Sequence, residues 1–154
     1  MQQFDLIIIG GGPGGYLCAE RAGKAGLRTA LLEKRALGGT CLNEGCIPTK
    51  SLLYCAKQYQ TMLHCEEYGI AAQNVSYDHA AAVVRKDGIV QTLVRGVGVS
   101  MKKHGVAVFS TEGKITGKTG DLFTVSAGAE SLFAPRLVLA SGSSAVVPPI
   151  PGVR

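Results

Sequence analysis

Phe4-Asp5-Leu6-Ile7-Ile8-Ile9-Gly10-Gly11-Gly12-Pro13-Gly14-Gly15 decides the fold class of this 154-residue chain. Its apolar run is continuous rather than alternating, which predicts a parallel strand over 4–9 covered on both faces. From Gly14 to Ala25 the small and apolar residues Leu17, Cys18, Ala19, Ala22 and Ala25 predict a helix packed close to a sheet and stopped by Gly26. Thr29-Ala30-Leu31-Leu32-Glu33 predicts a second strand that ends in an acid. In that setting Gly10 permits the sharp exit from the strand, Gly12 lets the backbone approach a pyrophosphate, and Gly15 lets the helix pack tightly. The helix amino terminus would meet the phosphates with free N–H groups and a positive dipole end. Glu33, 18 residues after Gly15, is placed to accept hydrogen bonds from a ribose, while Lys34 and Arg35 leave a 2′-phosphate open. Glycines also serve ordinary tight turns, but a bare turn needs neither the strand, the helix nor the acid.

Just downstream, Thr40-Cys41-Leu42-Asn43-Glu44-Gly45-Cys46-Ile47-Pro48-Thr49-Lys50 sets two cysteines five positions apart. A zinc half-site would need a second ligand pair, and Cys18, Cys55, Cys65 and the three histidines offer no matching spacing, so no metal is expected. Two inert buried thiols are a further reading, because cysteine is commonly buried. The favoured reading is a redox pair. Residues five apart in a regular helix lie too far apart for a disulfide, whose Cα atoms usually fall within ~7 Å, so the chain must deviate between them. Gly45 supplies the freedom, and Pro48 is expected to start the regular helix only after Cys46, running to about Leu63. Cys46 near a helix amino end would have its thiolate stabilised, with Lys50 adding positive charge and Glu44 opposing it slightly.

The remaining sequence continues an α/β pattern. Asp78 is expected to cap a long helix whose stripe of Val83, Val84, Val90, Leu93, Val94, Val97 and Met101 reads as core. Beyond Gly105 come short strands at 106–109, 122–125 and 137–140; the first and last suit the parallel sheet. The middle one suits a small antiparallel excursion, pairing with 131–133 across 127–130. Pro148-Pro149-Ile150-Pro151-Gly152 reads as a stiff linker. The length suits one domain. The net charge of +5, from 16 Lys and Arg against 11 Asp and Glu, is scattered and aromatics are sparse, which argues against nucleic acid. No run approaches the ~20 apolar residues that span a bilayer, so no membrane role is expected. Five cysteines make no secreted disulfide framework, and a reducing, cytoplasmic setting is expected.

With these residues in hand, the segment from Gly38 to Lys50 and the amino-terminal fingerprint together resemble the flavin disulfide reductases, the pyridine nucleotide-disulfide oxidoreductases. Within them Leu42, Ile47 and Thr49 look most like the dihydrolipoyl dehydrogenases. Gly113-Lys114-Ile115-Thr116-Gly117-Lys118 and Ala140-Ser141-Gly142-Ser143 also match. The resemblance implies a Rossmann-like FAD-binding domain over 1–147, incomplete at its far end, followed by a linker stub at 148–154. Gly10, Gly12, Pro13, Gly14 and Gly15 would hold the FAD pyrophosphate and Glu33, beside Lys34, the adenosine ribose. Gly39, Thr40 and Cys41 would line the cofactor, Lys50 would lie near the flavin, and Gly113 would offer a backbone contact at the adenine end. Ala140, Ser141, Gly142 and Ser143 would close the site, Ser141 standing where the family more often has threonine. Cys46 would be the thiol against the flavin and Cys41 the interchange thiol attacked by reduced lipoamide, with NAD+ accepting hydride in the complete enzyme.

The implied partners are the lipoyl domains of 2-oxo acid dehydrogenase or glycine cleavage complexes, and a second subunit, since the complete enzymes are homodimers. The NAD-binding, central and interface domains and the catalytic histidine base of the family have no counterpart in these residues; His64, His79 and His104 lack its His-Pro context. The expectation is therefore the amino-terminal part of an enzyme, inactive alone. The alternatives are a glutathione or mercuric reductase type, and a free-standing flavin-binding or dithiol module without turnover.

Overall fold

The computed structural model describes residues 2–153, so Met1 and Arg154, the outer ends of the two expected segments, lie outside it. The elements in chain order are β1 (Gln2–Gln3), β2 (Leu6–Ile9), α1 (Pro13–Lys24), β3 (Thr29–Leu32), α2 (Gly39–Asn43), α3 (Cys46–Leu63), a short 3-10 turn (Cys65–Tyr68) and α4 (His79–Lys103). Five strands follow: β4 (Ala107–Phe109), β5 (Gly113–Thr119), β6 (Leu122–Ala127), β7 (Glu130–Ala134) and β8 (Leu137–Leu139).

Four strands form one all-parallel sheet in the order β4-β3-β2-β8, the four runs expected of it. Because successive side chains of a strand point to opposite faces, the continuous apolar run of β2 is split between two cores. Leu6 and Ile8 join Leu31, Ala19 and Ala22 of α1, Met101 of α4 and Val106 on one face. Ile7, Ala30 and Leu32 meet Val125, Ala127, Leu132 and Ala134 on the other. That second face is covered by a sheet of order β1-β7-β6-β5, antiparallel through β5, β6 and β7 and parallel where β1 joins β7. The molecule is thus layered as helices, parallel sheet and mixed sheet. Ile7, Ile8, Leu31 and Leu32 are at most 1% exposed, each contributing about 1.5–3 kcal/mol by burial.

The expected pairing of 122–125 with 131–133 is present, Val125 facing Leu132. β5 completes the excursion, and its alternation is interrupted at Ile115 and Gly117 by a shift of register. Asp78 caps α4 as expected, its carboxylate accepting a hydrogen bond from the Ala81 N–H at 3.1 Å.

Two expectations are corrected. The regular helix after the second cysteine starts at Cys46, not Pro48, because Gly45 is the cap residue; Pro48 still falls in the first turn, where its missing N–H leaves no bond unmade. The α4 stripe is core only at its end. Met101 is fully buried, whereas Val84 and Leu93 are 71% and 39% exposed. The reason is that only the carboxyl end of α4 lies over the parallel sheet; further back its neighbour is α3, whose sole buried residue is Ser51.

Candidate functional site

A cleft of about 740 Å³ opens at the carboxyl ends of the parallel strands, where β2 hands over to α1 and β8 to the following loop. Its walls include Gly10, Gly12, Pro13 and Gly14 from the β2–α1 turn and Glu33, Lys34, Arg35 and Ala36 after β3. Gly39, Thr40, Cys41, Asn43 and Glu44 come from α2 and its end, and Ala140 to Ser144 from the segment after β8. The outer end of a parallel sheet is where such folds place ligands.

The turn is built for close backbone approach. Gly10 sits at φ +107°, and a Cβ there would lie 2.1 Å from the Ala140 carbonyl oxygen. Gly15 serves helix packing instead. A Cβ there would come within 1.8 Å of the Gly10 carbonyl oxygen, so Gly15 seats α1 on the sheet and does not line the cleft. Gly12 caps α1 without any side-chain hydrogen bond, so no side-chain cap takes up the first-turn N–H groups.

Glu33 is held by the backbone on both oxygens. Oε2 accepts from the Gly11 N–H at 2.7 Å and Oε1 from the Arg35 N–H at 2.8 Å, so the carboxylate is fixed while each oxygen keeps a lone pair. Lys34 reaches Glu112, 3.5 Å away, and Arg35 pairs with Glu44.

The two cysteines straddle a break. Cys41 lies in α2 and on the wall of the cleft; Cys46 is the first residue of α3 and is exposed. Glu44 ends α2, and Gly45 turns the chain with φ −122° and ψ −101°. This is the deviation that the spacing requires. Both thiols are free, as are Cys18, Cys55 and Cys65. A hydrogen bond with the Cys46 thiol, then desolvation and the Cys46 charge, push the Cys41 thiol above its ordinary range, and Lys50 pulls it down.

Of the residues singled out from the sequence, the structure gathers Gly10, Gly12, Pro13, Gly14, Glu33, Lys34, Gly39, Thr40, Cys41, Ala140, Ser141, Gly142 and Ser143 round one cleft. Cys46, Lys50, Gly15 and Gly113 are not on its wall. Gly113 packs against the sheet, where a Cβ would meet Leu32 at 2.9 Å and Ile9 at 3.2 Å. Arg35, Ala36, Asn43, Glu44 and Ser144 line the cleft in addition to the expected residues; only their adjacency to the motifs could have marked them. His64, His79 and His104 are not on the wall. Among the described residues no group of three His, Cys, Asp or Glu side chains is placed to hold a metal ion, and no helix is long and apolar enough to cross a membrane.

Comparison with known proteins is consistent with this geometry. The family model described as "Pyridine nucleotide-disulphide oxidoreductase" matches residues 4–154. A dihydrolipoyl dehydrogenase of Acholeplasma laidlawii is 44% identical over 154 residues, covering 99% of this chain and 45% of the relative. One from Pseudomonas aeruginosa is 44% identical over 150 residues, covering 95% and 32%. The chain therefore spans 45% and 32% of the length of these two relatives, less than half of either. Among solved structures, the Cu(II) complex of the HOCl-induced flavoprotein disulfide reductase RclA from Escherichia coli superposes with a TM-score of 0.76 at 28% identity, over 99% of this chain and 31% of that one. LpdA from Mycobacterium tuberculosis superposes with a TM-score of 0.86 at 18% identity, over 97% and 33%, and shows the fold alone.

Proposed function

Because the chain belongs to the pyridine nucleotide-disulphide oxidoreductase family, we propose that it is the FAD-binding, redox-dithiol part of a dihydrolipoyl dehydrogenase. The observation that carries this is the placement of Cys41 on the wall of the same cleft as Gly10, Gly12, Gly14 and Glu33. One cysteine of the pair thus shares a cleft with the glycine turn and the acid.

The residues fit FAD. The cleft volume of about 740 Å³ lies within the ~300–1,000 Å³ of small-molecule sites. Gly12 and the first turn of α1 would face the pyrophosphate, and the fixed Glu33 carboxylate would take a ribose hydroxyl. FAD, when bound, accepts the electron pair of the dithiol. The chain's own part is thiol–disulfide exchange. A thiolate of dihydrolipoamide attacks Cys41 Sγ in the Cys41–Cys46 disulfide, and Cys46 leaves as a thiolate. The second thiol of the substrate then displaces Cys41 from the mixed disulfide, so lipoamide departs and both cysteines are reduced. The roles of the two thiols come from the family resemblance; exposure alone ranks them the other way, Cys46 being the more open.

In the longer enzyme, NAD+ would take the electrons onward, a second subunit would supply the base, and lipoyl domains of 2-oxo acid dehydrogenase or glycine cleavage complexes would deliver the substrate. Residues 1–147 would be the FAD-binding part and 148–154 a connector, and the five free cysteines suit a reducing, cytoplasmic setting. The test is single-turnover reduction of the oxidised chain by dihydrolipoamide and by glutathione, followed by mass mapping. Reduction of a Cys41–Cys46 disulfide with dihydrolipoamide preferred is the expected result. Failure to form that disulfide would overturn the reading, and a preference for glutathione would move it to a glutathione reductase type.

A further inference from the structure

The three residues between Leu42 and Cys46 are Asn43, Glu44 and Gly45, and the first of them makes contacts that the motif alone does not reveal. The Nδ2 of Asn43 donates to the carbonyl oxygens of Gly39 at 2.9 Å and Leu37 at 3.1 Å. Both partners can only accept, so the nitrogen must face them. These carbonyls flank Gly38 and Gly39, at φ +95° and +57°, the left-handed pair that turns the chain from the Glu33 loop into α2. The same turn is seated on the β2–α1 loop. The Gly38 N–H donates to the Gly11 carbonyl at 2.8 Å, and a Cβ on Gly39 would come within 2.7 Å of the Gly12 Cα.

From this we propose that Asn43 is a positioning residue for the dithiol, holding α2, and with it Cys41, at the spacing from Cys46 that a disulfide needs. The proposal rests on reading Cys41 and Cys46 as the redox pair. α2 has only five residues, and an isolated helix of that length is not stable in water. Its position therefore depends on ties beyond its own turn of helix, the Gly38–Gly11 backbone bond and side-chain bonds among them. Each end of α2 has one: at its start the Asn43 amide, which closes on the Gly38–Gly39 turn, and at its end the Arg35–Glu44 pair. The ion pair is exposed on both sides, and such pairs contribute little. The Asn43 bonds are partly buried and are the stronger restraint. Without them α2 can slide or unwind, the Cys41–Cys46 separation broadens, and fewer conformers lie within disulfide geometry. The dithiol then becomes harder to oxidise.

The experiment equilibrates the 154-residue chain with mixtures of reduced and oxidised glutathione near neutral pH, quenches with acid, alkylates and measures the Cys41–Cys46 disulfide by mass. One glutathione disulfide is consumed, and two glutathiones released, for each bond formed. Asn43→Ala and Asn43→Asp are compared with the wild type below their unfolding transitions, as located by circular dichroism. Asp keeps the shape of Asn but, ionised, has no donor. Both variants are expected to lower the equilibrium constant for disulfide formation about tenfold or more. A merely structural role would lower the melting temperature and leave that constant in place, which would overturn the proposal. So would an Asn43→Asp variant that matches the wild type, because shape rather than donation would then matter. Absence of the disulfide in wild type overturns the redox reading as well; its presence with unchanged variants overturns only the role of Asn43.

Discussion

Cys41 carries opposed influences that a single substitution separates. Its hydrogen bond with the Cys46 thiol, desolvation and the Cys46 charge raise its pKa, and the Lys50 ammonium lowers it. Replacing Cys46 by Ala removes the largest of these, so the Cys41 thiolate should form at lower pH. The rate of Cys41 alkylation by iodoacetamide, followed by peptide mass, should move to lower pH in Cys46→Ala and to higher pH in Lys50→Gln; an unchanged profile would show that the thiols do not sense each other. A second contrast concerns two neighbouring glycines. Gly15→Ala would press a methyl onto the Gly10 carbonyl, whereas nothing lies within 4 Å of a Cβ at Gly14. Urea unfolding should show Gly15→Ala less stable by about 1–3 kcal/mol or more, with Gly14→Ala close to wild type. That Gly10, Gly12, Gly14, Glu33 and Cys41 come together round one cleft was legible because each sits at a fixed offset within a local pattern. Asn43 and Glu44 were not, because their partners, Leu37 and Arg35, are chosen by a loop whose path no local pattern states.

The elements that the sequence failed to announce are short or lie at sheet edges. β1 has two residues and α2 five, too few for a period to register. β5 is rich in glycine, lysine and threonine, a composition suited to an edge strand and easily taken for a loop. The α4 stripe failed in the other direction, since helical spacing says which residues share a face but not whether anything covers it. At its carboxyl end, where Met101 packs against α1, α4 is tied to that helix by a polar contact as well. Ser100 Oγ donates to Glu20 Oε2 at 2.9 Å, and Lys24 Nζ to Glu20 Oε1 at 2.5 Å. Lys24, then Ser100, hold the Glu20 carboxyl below its ordinary range. A depressed carboxyl pKa contributes stability that is present above the unfolded value and is lost as pH falls through the folded one. The melting temperature of Glu20→Gln should accordingly fall less steeply with acid than that of wild type, and equal slopes would remove Glu20 from the account of acid sensitivity.

For the whole molecule the expectation concerns what the chain does alone. A polypeptide of these 154 residues, supplied with FAD, dihydrolipoamide and NAD+, should produce no NADH at the rate of a complete enzyme. The sequence has no second Gly-x-Gly-x-x-Gly to place NAD+, and the histidines are absent from the cleft wall. FAD itself should bind weakly, because β8 is an open edge of the parallel sheet beside the cleft, with Leu139 65% exposed. Sustained NADH formation at the rate of a complete enzyme would overturn this expectation. The sheet order has a temporal side as well. β2 lies between β3 and β8, with Ile7 opposite Leu137, so a strand near the start of the chain is completed by one near its end. At ribosomal speeds of about 5–20 residues per second, on the order of ten seconds separate their emergence. Until β8 has been made, β2 lacks the partner it pairs with in the finished sheet, and the Gly10 turn lacks the Ala140 carbonyl that packs against it. A site built at this turn would therefore be completed late, because its first strand waits for its last.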